Sequence, residues 1–382
     1  VNREKKRIVL AFGTRPEAIK MAPVYLAMRQ HPHLSPTILL TGQHREQLDQ
    51  AMAFFGLQAA DDLEVMTDLP DLPLLAGRII PAAAKALRRL EPDYLLVHGD
   101  TLSTFALAWT AFLEGLPFGH VEAGLRSHDL DQPFPEEANR RLTATLSDLD
   151  LAPTEAAKAN LLREGKTPER IVVTGQTGID AIRFAAEHGT LPPSLPPGPY
   201  VTVTLHRREN WPHLRALAEG LAALAGEFSG HTFVFPLHKN PLVREAITPV
   251  LEKIENFVLT EPLGYGSMAA LLARSDLIIT DSGGIQEEGA ALGVPVVVVR
   301  EVTERPEGLA LGFLHLAGTD PVRVARVSSA LLKDPALKNK LAKTPNPYGD
   351  GRAGQRIAEA VAWRLGLGTR PADWHFTPGS PV

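Results

Sequence analysis

LIITDSGGIQEE, Leu277–Glu288, runs from an apolar stretch straight into a turn of one serine and two glycines, and then into a helical pattern. A short apolar run of this kind suits a strand buried on both faces, as in a parallel sheet. Ser282, Gly283 and Gly284 follow at the strand's carboxyl end and present bare backbone N–H groups at the start of a helix. Such a turn is a nest for an anion, and a diphosphate suits it. Glu288 lies one to two turns further on, where it can accept from ribose hydroxyls. The segment matches neither the GxxxxGK[ST] phosphate loop nor the GxGxxG dinucleotide fingerprint, so nicotinamide binding has little support.

The same strand–turn–helix unit recurs outward in both directions. Ile8–Phe12, Thr37–Leu40, Tyr94–Val97, Phe118–Val121, Ile171–Thr174, Tyr200–Thr204, Thr232–Phe235 and Val294–Val299 read as further strands. Glu17–Gln30, Leu75–Leu90 and Leu214–Phe228 carry helical periodicity between them. Alternation of apolar strands with helices predicts parallel sheets covered on both faces. A chain of 382 residues is long for one core, so two domains are expected. The expected class is α/β, with two Rossmann-like, doubly wound parallel-sheet domains facing across a cleft. The Pro-rich stretch Leu191–Pro199 is either the linker or a loop just inside the second domain. A fresh series of units begins after Gly175–Gly178, which sets the domains at 1–177 and 178–364.

Ligands of open parallel sheets bind outside the carboxyl ends of the strands, so the residues there decide function. Gly13-Thr14-Arg15-Pro16-Glu17 follows the first strand, and Pro16 suits the first helical position. Arg15 thus stands beside a helix N-terminus, where it suits a phosphate, and Lys20 comes one turn later. Asp100, in His98-Gly99-Asp100-Thr101, and Glu122, in Glu122-Ala123-Gly124-Leu125-Arg126, put carboxylates at two more strand ends. Two such carboxylates suggest acid–base work or metal binding, while each alone also reads as a helix cap or an ion pair. On spacing alone, Glu136–Arg140 and Glu137–Arg141 read as surface i,i+4 pairs. In the second half, His206 and His238 each end a strand beside a cation, and two such histidines point to function more than one does.

Composition narrows the classes. The net charge of −5 comes without a basic stripe, which argues against nucleic acid. Cysteine is absent, so disulfides, thiolate catalysis and Cys-ligated zinc are excluded. Neither HExxH nor clustered His–carboxylate spacing occurs, so a metal is not expected. No apolar run approaches the roughly 18 residues of a membrane helix. The stretch from Val1 to Phe12 lacks a signal-peptide core, and a cytoplasmic location is expected.

Taken together, the motifs resemble the non-hydrolysing UDP-N-acetylglucosamine 2-epimerases. They run from GTRPEAIKMAPV at Gly13–Val24 and TGQHREQLDQ at Thr41–Gln50 to HGDT at His98–Thr101 and GHVEAGLR at Gly119–Arg126. PFPEEANR at Pro133–Arg140, LHRREN at Leu205–Asn210, TDSGGIQEE at Thr280–Glu288, TERPEG at Thr303–Gly308 and NPYGDGRA at Asn346–Ala353 complete the series. The resemblance implies a glycosyltransferase-B-like fold, with a last helix at 365–382 crossing back to the first domain. It implies that Asp100, Glu122, Glu136 and His206 are catalytic. It puts Arg15, Lys20, His238, Leu263, Met268, Ser282, Gly283, Gly284, Glu288 and Arg305 at substrate-binding positions. Its implied ligands are UDP-N-acetylglucosamine and UDP, with no cofactor, no nucleic acid and no membrane, in a homodimer. The implied reaction expels UDP, passes through 2-acetamidoglucal, and adds UDP back. The rival readings are a hydrolysing 2-epimerase, which shares most of these motifs, a glycosyltransferase of the same fold, which would need an acceptor, and an idle nucleotide-sugar sensor, which the intact carboxylates oppose.

The chain also departs from the family. Met268 stands where Phe is usual beside the uracil, and Gly175-Gln176-Thr177 replaces Gly-Asn-Thr. Bacterial members are activated by their own substrate at a second site, whose matching positions are Gln43, Glu46, Leu69, Glu136, Arg207 and His238. Glu46 replaces an amide and Leu69 an arginine. Both changes oppose a second diphosphate, so weak or absent substrate activation is expected.

Overall fold

The computed structural model describes residues 5–42, 45–65 and 71–377. It divides into two compact units: Val1–Ala181 with Tyr348–His375, and Ile182–Pro347 with Phe376–Val382. Among the described residues no helix is long and apolar enough to cross a membrane.

The first unit is built on β1 (Lys6–Phe12), β2 (Leu34–Leu40), β3 (Asp61–Asp62), β4 (Tyr94–His98), β5 (Phe118–Val121), β6 (Leu149–Ala152) and β7 (Ile171–Val173). They form one sheet in the order β3-β2-β1-β4-β5-β6-β7, and every pairing is parallel. The second unit carries β8 (Tyr200–Thr204), β9 (Thr232–Pro236), β10 (Phe257–Thr260), β11 (Ser275–Thr280), β12 (Val296–Val298) and β13 (Leu314–Leu316). Its order is β10-β9-β8-β11-β12-β13, again all parallel. Both sheets are doubly wound. Each winds outward in two directions from a central pair, β1 with β4 and β8 with β11. Those pairs are the switch points where a crevice opens at the carboxyl edge.

The apolar runs became the central strands because both of their faces are covered. Leu10, Ile8, Leu96 and Ile278 are fully buried. Strands that sequence patterning did not mark are short, lie toward the edges or are interrupted by a polar residue. β3 is two aspartates. β6 carries the buried Asp150, which accepts from Ser147 Oγ at 2.6 Å and pairs with Lys166 Nζ at 3.2 Å. Burial pushes the Asp150 carboxyl up to about 6, against the pull of Lys166 and the Ser147 bond. β10 and β13 close the two edges of the second sheet.

Two boundaries differ from the sequence reading, and of the two readings of Leu191–Pro199 the loop holds. The units divide between Ala181 and Ile182, inside the helix Thr177–His188, rather than at 177/178. Leu191–Pro199 is a loop of the second unit, where Leu191 and Leu195 pack against Tyr200, Val234 and Leu271. The returning helix is Ala353–Arg364, not 365–382. Gly366, with φ of 73°, ends it, and no helix follows among the described residues. The chain beyond it runs along β7, where Trp374 N–H donates to Val173 O at 2.8 Å. The returning helix packs on the helix Arg15–Gln30 so closely that a Cβ on Gly354 would lie 2.7 Å from Pro23 O.

The returning helix has no side-chain cap of its own. Asp180 supplies one from the helix Thr177–His188, accepting the Gly354 N–H at 2.8 Å. Its other oxygen has no partner. Burial pushes this carboxyl up to about 6, although the backbone N–H groups of Gly354 and Ala353 favour the charged form. A raised carboxyl binds its proton more readily in the folded state, so it erodes stability as pH rises between the unfolded value and about 6. Asp180→Asn keeps the accepting oxygen and removes the charge. Its unfolding free energy, relative to the parent, should increase by about 2 kcal/mol between pH 4 and pH 7.5 in urea titrations. A difference independent of pH would refute the assignment.

Candidate active site

The crevice between β1 and β4 opens into a cavity of about 410 Å³ lined by Thr14, Pro16, Glu17, Lys20, His98, Gly99, Asp100, Thr101 and Glu122. The loops after both strands are tied by one buried side chain. Glu17 Oε2 accepts from Gly13 N at 3.0 Å and from Thr14 N and Oγ1 at 2.8 Å each. Glu17 Oε1 accepts from Thr101 Oγ1 at 2.8 Å and Thr104 Oγ1 at 3.1 Å. Thr14 is the N-cap and closes a capping box with Glu17, so Arg15 opens the helix and Pro16 takes its second position, not its first. Arg15 is half-buried there.

Across the cavity, Glu122 follows β5 in the left-handed region at φ 64°. A non-glycine residue there stores strain of about 1–3 kcal/mol, a cost found mainly at working sites. Its Oε2 pairs with Lys20 Nζ at 2.5 Å and lies 3.7 Å from His98 Nε2. Burial alone would raise the Glu122 carboxyl, but the charges of Lys20, His98 and Arg140 hold it down at about 2. Asp100 goes the other way. Burial pushes its carboxyl up, Glu122 adds to the push, and its contact with Arg140 opposes it. Two carboxylates in one cavity are thus biased in opposite senses. His98 is buried and neither ring nitrogen has a hydrogen-bond partner, so burial lowers it to about 4. His120 Nε2 meets Gly99 O at 2.7 Å, and burial lowers that ring to about 3.

The helix Glu136–Leu146 braces this arrangement. Asn139 Nδ2 donates to Asp100 O at 3.0 Å, and Arg140 reaches both the Asp100 carboxylate and Glu137 Oε2, the latter at 3.4 Å. Glu137 is fully buried and accepts from the backbone N–H groups of Ser127 at 3.0 Å and His128 at 3.3 Å. The surface i,i+4 pairing expected of this helix is replaced by these contacts, since Arg141 approaches Glu164 at 3.8 Å. Glu136 opens the helix, half-buried and outside the cavity lining.

In the second unit the crevice lies between β8 and β11. Ser282 caps the helix Gly283–Ala291 and its Oγ accepts from Ile285 N at 3.5 Å. A Cβ on Gly284 would meet nothing within 4 Å, so this helix start is open to a ligand. Arg305 lies over Gly283, where a Cβ would come 3.1 Å from its Nη1, and pairs with Glu287 at 2.7 Å. Asp281 is fully buried, and His206 Nδ1 stands 3.1 Å from its Oδ1. The His206 and His238 rings stack with centroids 6.0 Å apart. His238 Nδ1 accepts from Asn240 N at 3.2 Å, which leaves its Nε2 to carry the proton of the neutral ring. Met268 lies in the helix Tyr265–Arg274, and Leu263 packs beside Tyr200 and Leu271. Glu288 is half-buried on the helix Gly283–Ala291.

A family model described as UDP-N-acetylglucosamine 2-epimerase matches residues 26–362. The UDP-N-acetylglucosamine 2-epimerase of Bacillus subtilis is 40% identical over 374 residues, covering 97% of this chain and 98% of that one. The chain belongs to the UDP-N-acetylglucosamine 2-epimerase family. A crystal structure of UDP-GlcNAc 2-epimerase from Neisseria meningitidis bound to UDP-GlcNAc superposes with a TM-score of 0.79 at 40% identity, over 94% of this chain and all of that one. The glycosyltransferase SnogD from Streptomyces nogalater, at 19% identity and a TM-score of 0.57 over 95% of this chain and 99% of that chain, shares the fold alone.

Within this family frame, the first unit gathers Lys20, Asp100 and Glu122, and the second gathers His206, His238, Ser282, Gly283, Gly284 and Arg305. Arg207 lies in the same loop as His206, and its Nη1 contacts Glu209 Oε1 at 3.4 Å. Gln43, Leu69 and the side chain of Glu46 lie outside the described residues, and with them the expectation about a second nucleotide-sugar site. Sequence reading missed Glu17, His98, Glu137, Arg140 and Asp281. Thr14-x-x-Glu17 is a capping-box spacing and was the available signal for Glu17. Glu17→Gln turns one acceptor of this network into a donor facing donors. Urea unfolding should show a loss of about 2–3 kcal/mol, the scale of hydrogen bonds to a buried charge. A loss under about 0.5 kcal/mol would show that the two loops do not depend on it.

Proposed function

We propose that this chain interconverts UDP-N-acetylglucosamine and UDP-N-acetylmannosamine without hydrolysing them, by eliminating UDP to give 2-acetamidoglucal and adding it back. The observation that carries the reading is the pair Asp100 and Glu122, in one cavity and biased in opposite senses. Membership of the family and the ligand of the Neisseria meningitidis structure support the substrate.

The C2 hydrogen of the sugar is not next to a carbonyl, so direct deprotonation is too slow to be useful. Breaking the C1–O bond first leaves an oxocarbenium-like C1, beside which the C2 proton becomes acidic. The bonding pair departs on the β-phosphate oxygen. Glu122 is kept ionised by Lys20 and is assigned the C2 proton, its weak basicity being matched by the strong acidity of that proton beside an oxocarbenium-like C1. Asp100, pushed toward its protonated form, is suited to return one on the opposite face. Glu136 is the third acid assigned to the reaction, at the first turn of the helix whose Arg140 contacts Asp100. In the second unit the helix start at Ser282–Gly284 with Arg305, His206 and His238 is assigned to the diphosphate, and Glu288, Leu263 and Met268 to the nucleoside, while Arg15 keeps its assignment as a substrate-binding residue of the first unit. Elimination and readdition move protons and the UDP group but no hydride, so the route as proposed calls on no redox group.

Turnover in deuterated water without added NAD should place deuterium at C2 of the UDP-sugar, as read by proton NMR. Epimerisation that keeps the C2 proton would rule out the elimination route. Steady release of free N-acetylmannosamine would replace it with the hydrolysing reading.

Asp100→Asn, Glu122→Gln and Glu136→Gln should each lower turnover by about 10²-fold or more, the usual loss for an acid–base group. UDP affinity by calorimetry should change much less, because these groups face the sugar in this assignment. Near-parental turnover in any of the three would remove that residue from the mechanism.

A further inference from the structure

We propose that Asp281 is a positioning residue that fixes the tautomer of His206, keeping Nε2 as the atom that exchanges a proton with the leaving phosphate oxygen. The inference rests on the epimerase reading for its chemistry, but its geometry stands in the second unit alone.

Asp281 is 0% exposed, and a buried carboxylate needs partners. It has them in an uneven division. Oδ2 accepts from three donors: His206 N at 3.0 Å, Arg207 N at 3.0 Å and Asn210 Nδ2 at 3.0 Å. Oδ1 takes a longer bond from His206 N at 3.2 Å and faces the His206 ring, with Nδ1 at 3.1 Å. Asn210 is itself anchored, because Nδ2 also donates to Val299 O at 3.0 Å. The carboxylate is therefore locked at the end of β11, with one oxygen for the loop and one for the ring. Desolvation works against the charge, yet the bonds from His206, Arg207 and Asn210 hold the Asp281 carboxyl below its ordinary value.

An ionised carboxylate only accepts, so Nδ1 must carry a proton. That proton stays on Nδ1 whether or not Nε2 is protonated. Nε2 is left as the variable site on a ring that is partly exposed, with His238 stacked on it. When the C1–O bond breaks, its electron pair stays on the β-phosphate oxygen. A proton on Nε2 passes to that oxygen and leaves the neutral Nδ1–H ring. Readdition of UDP returns it. No other donor or acceptor is consumed.

Asp281→Asn separates this role from scaffolding. The carboxamide has one accepting oxygen, and three donors compete for it at the Oδ2 position. The NH₂ group is then forced to the Oδ1 position, facing Nδ1. It can only donate, so Nδ1 must accept and the neutral ring must carry its proton on Nε2. A ring of that tautomer cannot take a proton at Nε2. In serine proteases the matching change at the histidine-orienting aspartate preserves geometry and costs about 10⁴-fold in turnover, through the wrong tautomer.

The test is long-range proton–nitrogen NMR on protein with ¹⁵N-histidine, the His206 signals being assigned by their loss in His206→Gln. Unsubstituted protein should show His206 with a protonated, pyrrole-type Nδ1. Asp281→Asn should show the reverse pattern, a fall in turnover of about 10³- to 10⁴-fold, and UDP affinity within about threefold. The double variant Asp281→Asn/His206→Gln should fall no further than His206→Gln, because both act at one atom. An Nε2–H tautomer in the unsubstituted protein would overturn the proposal without any variant, as would additive losses in the double variant. The tautomer decides the positioning claim whichever reaction the chain catalyses. Absence of epimerisation in the parent would instead overturn the proposed function.

Discussion

A parallel sheet covered by helices on both faces has no room for an unpaired charge along its strands. A charge within a strand needs a partner there, as Asp150 has in Lys166, and charges meant for a ligand belong at the carboxyl ends, where loops part and backbone N–H groups point outward. This constraint governs both units. In the first, β1, β4 and β5 end in Thr14–Glu17, Gly99–Thr101 and Glu122. In the second, β8, β9 and β11 lead into His206, His238 and Asp281–Gly284. The proposed chemistry falls where the winding direction reverses, between β1 and β4 and between β8 and β11.

The acids at those ends differ in fate because their partners differ. Glu17 and Glu137 spend their oxygens on loop N–H groups and hydroxyls, and so hold backbone in place. Glu122 meets the flexible ammonium of Lys20 and is kept ionised in a strained backbone. Asp100 meets Arg140, whose charge is shared with Glu137, and its carboxyl rises. Asp281 gives one oxygen to a loop and the other to an imidazole. Burial is common to all of them, and the number and kind of donors separates the acids that brace backbone from those proposed for proton transfer.

Much of this was legible in the sequence. Ile8–Phe12, Tyr94–Val97 and Leu277–Thr280 are apolar throughout or nearly so, because they are buried on both sides, and each marks a strand end within a residue or two. Asp100, Glu122 and Ser282–Gly284 followed directly. The rest depends on contacts distant in sequence. Nothing near Glu137 signals that it caps the turn at Ser127, and nothing near Asp281 signals that its partner is 75 residues away at His206. The returning helix was placed too late because the resemblance implied its existence and not its bounds, and Gly366 ends it well before 382. Asp150 hid β6, since a buried acid breaks the apolar run by which such strands are found.

The account stands on cleavage of the C1–O bond during epimerisation. Positional isotope exchange reads that event directly. UDP-N-acetylglucosamine carrying ¹⁸O only at the bridge between C1 and the β-phosphorus is incubated with the protein and followed by ³¹P NMR. If UDP is expelled and added back, its β-phosphate can rotate while free, and the label should move into the non-bridging positions as UDP-N-acetylmannosamine accumulates. Epimerisation with the label fixed in the bridge would contradict the account.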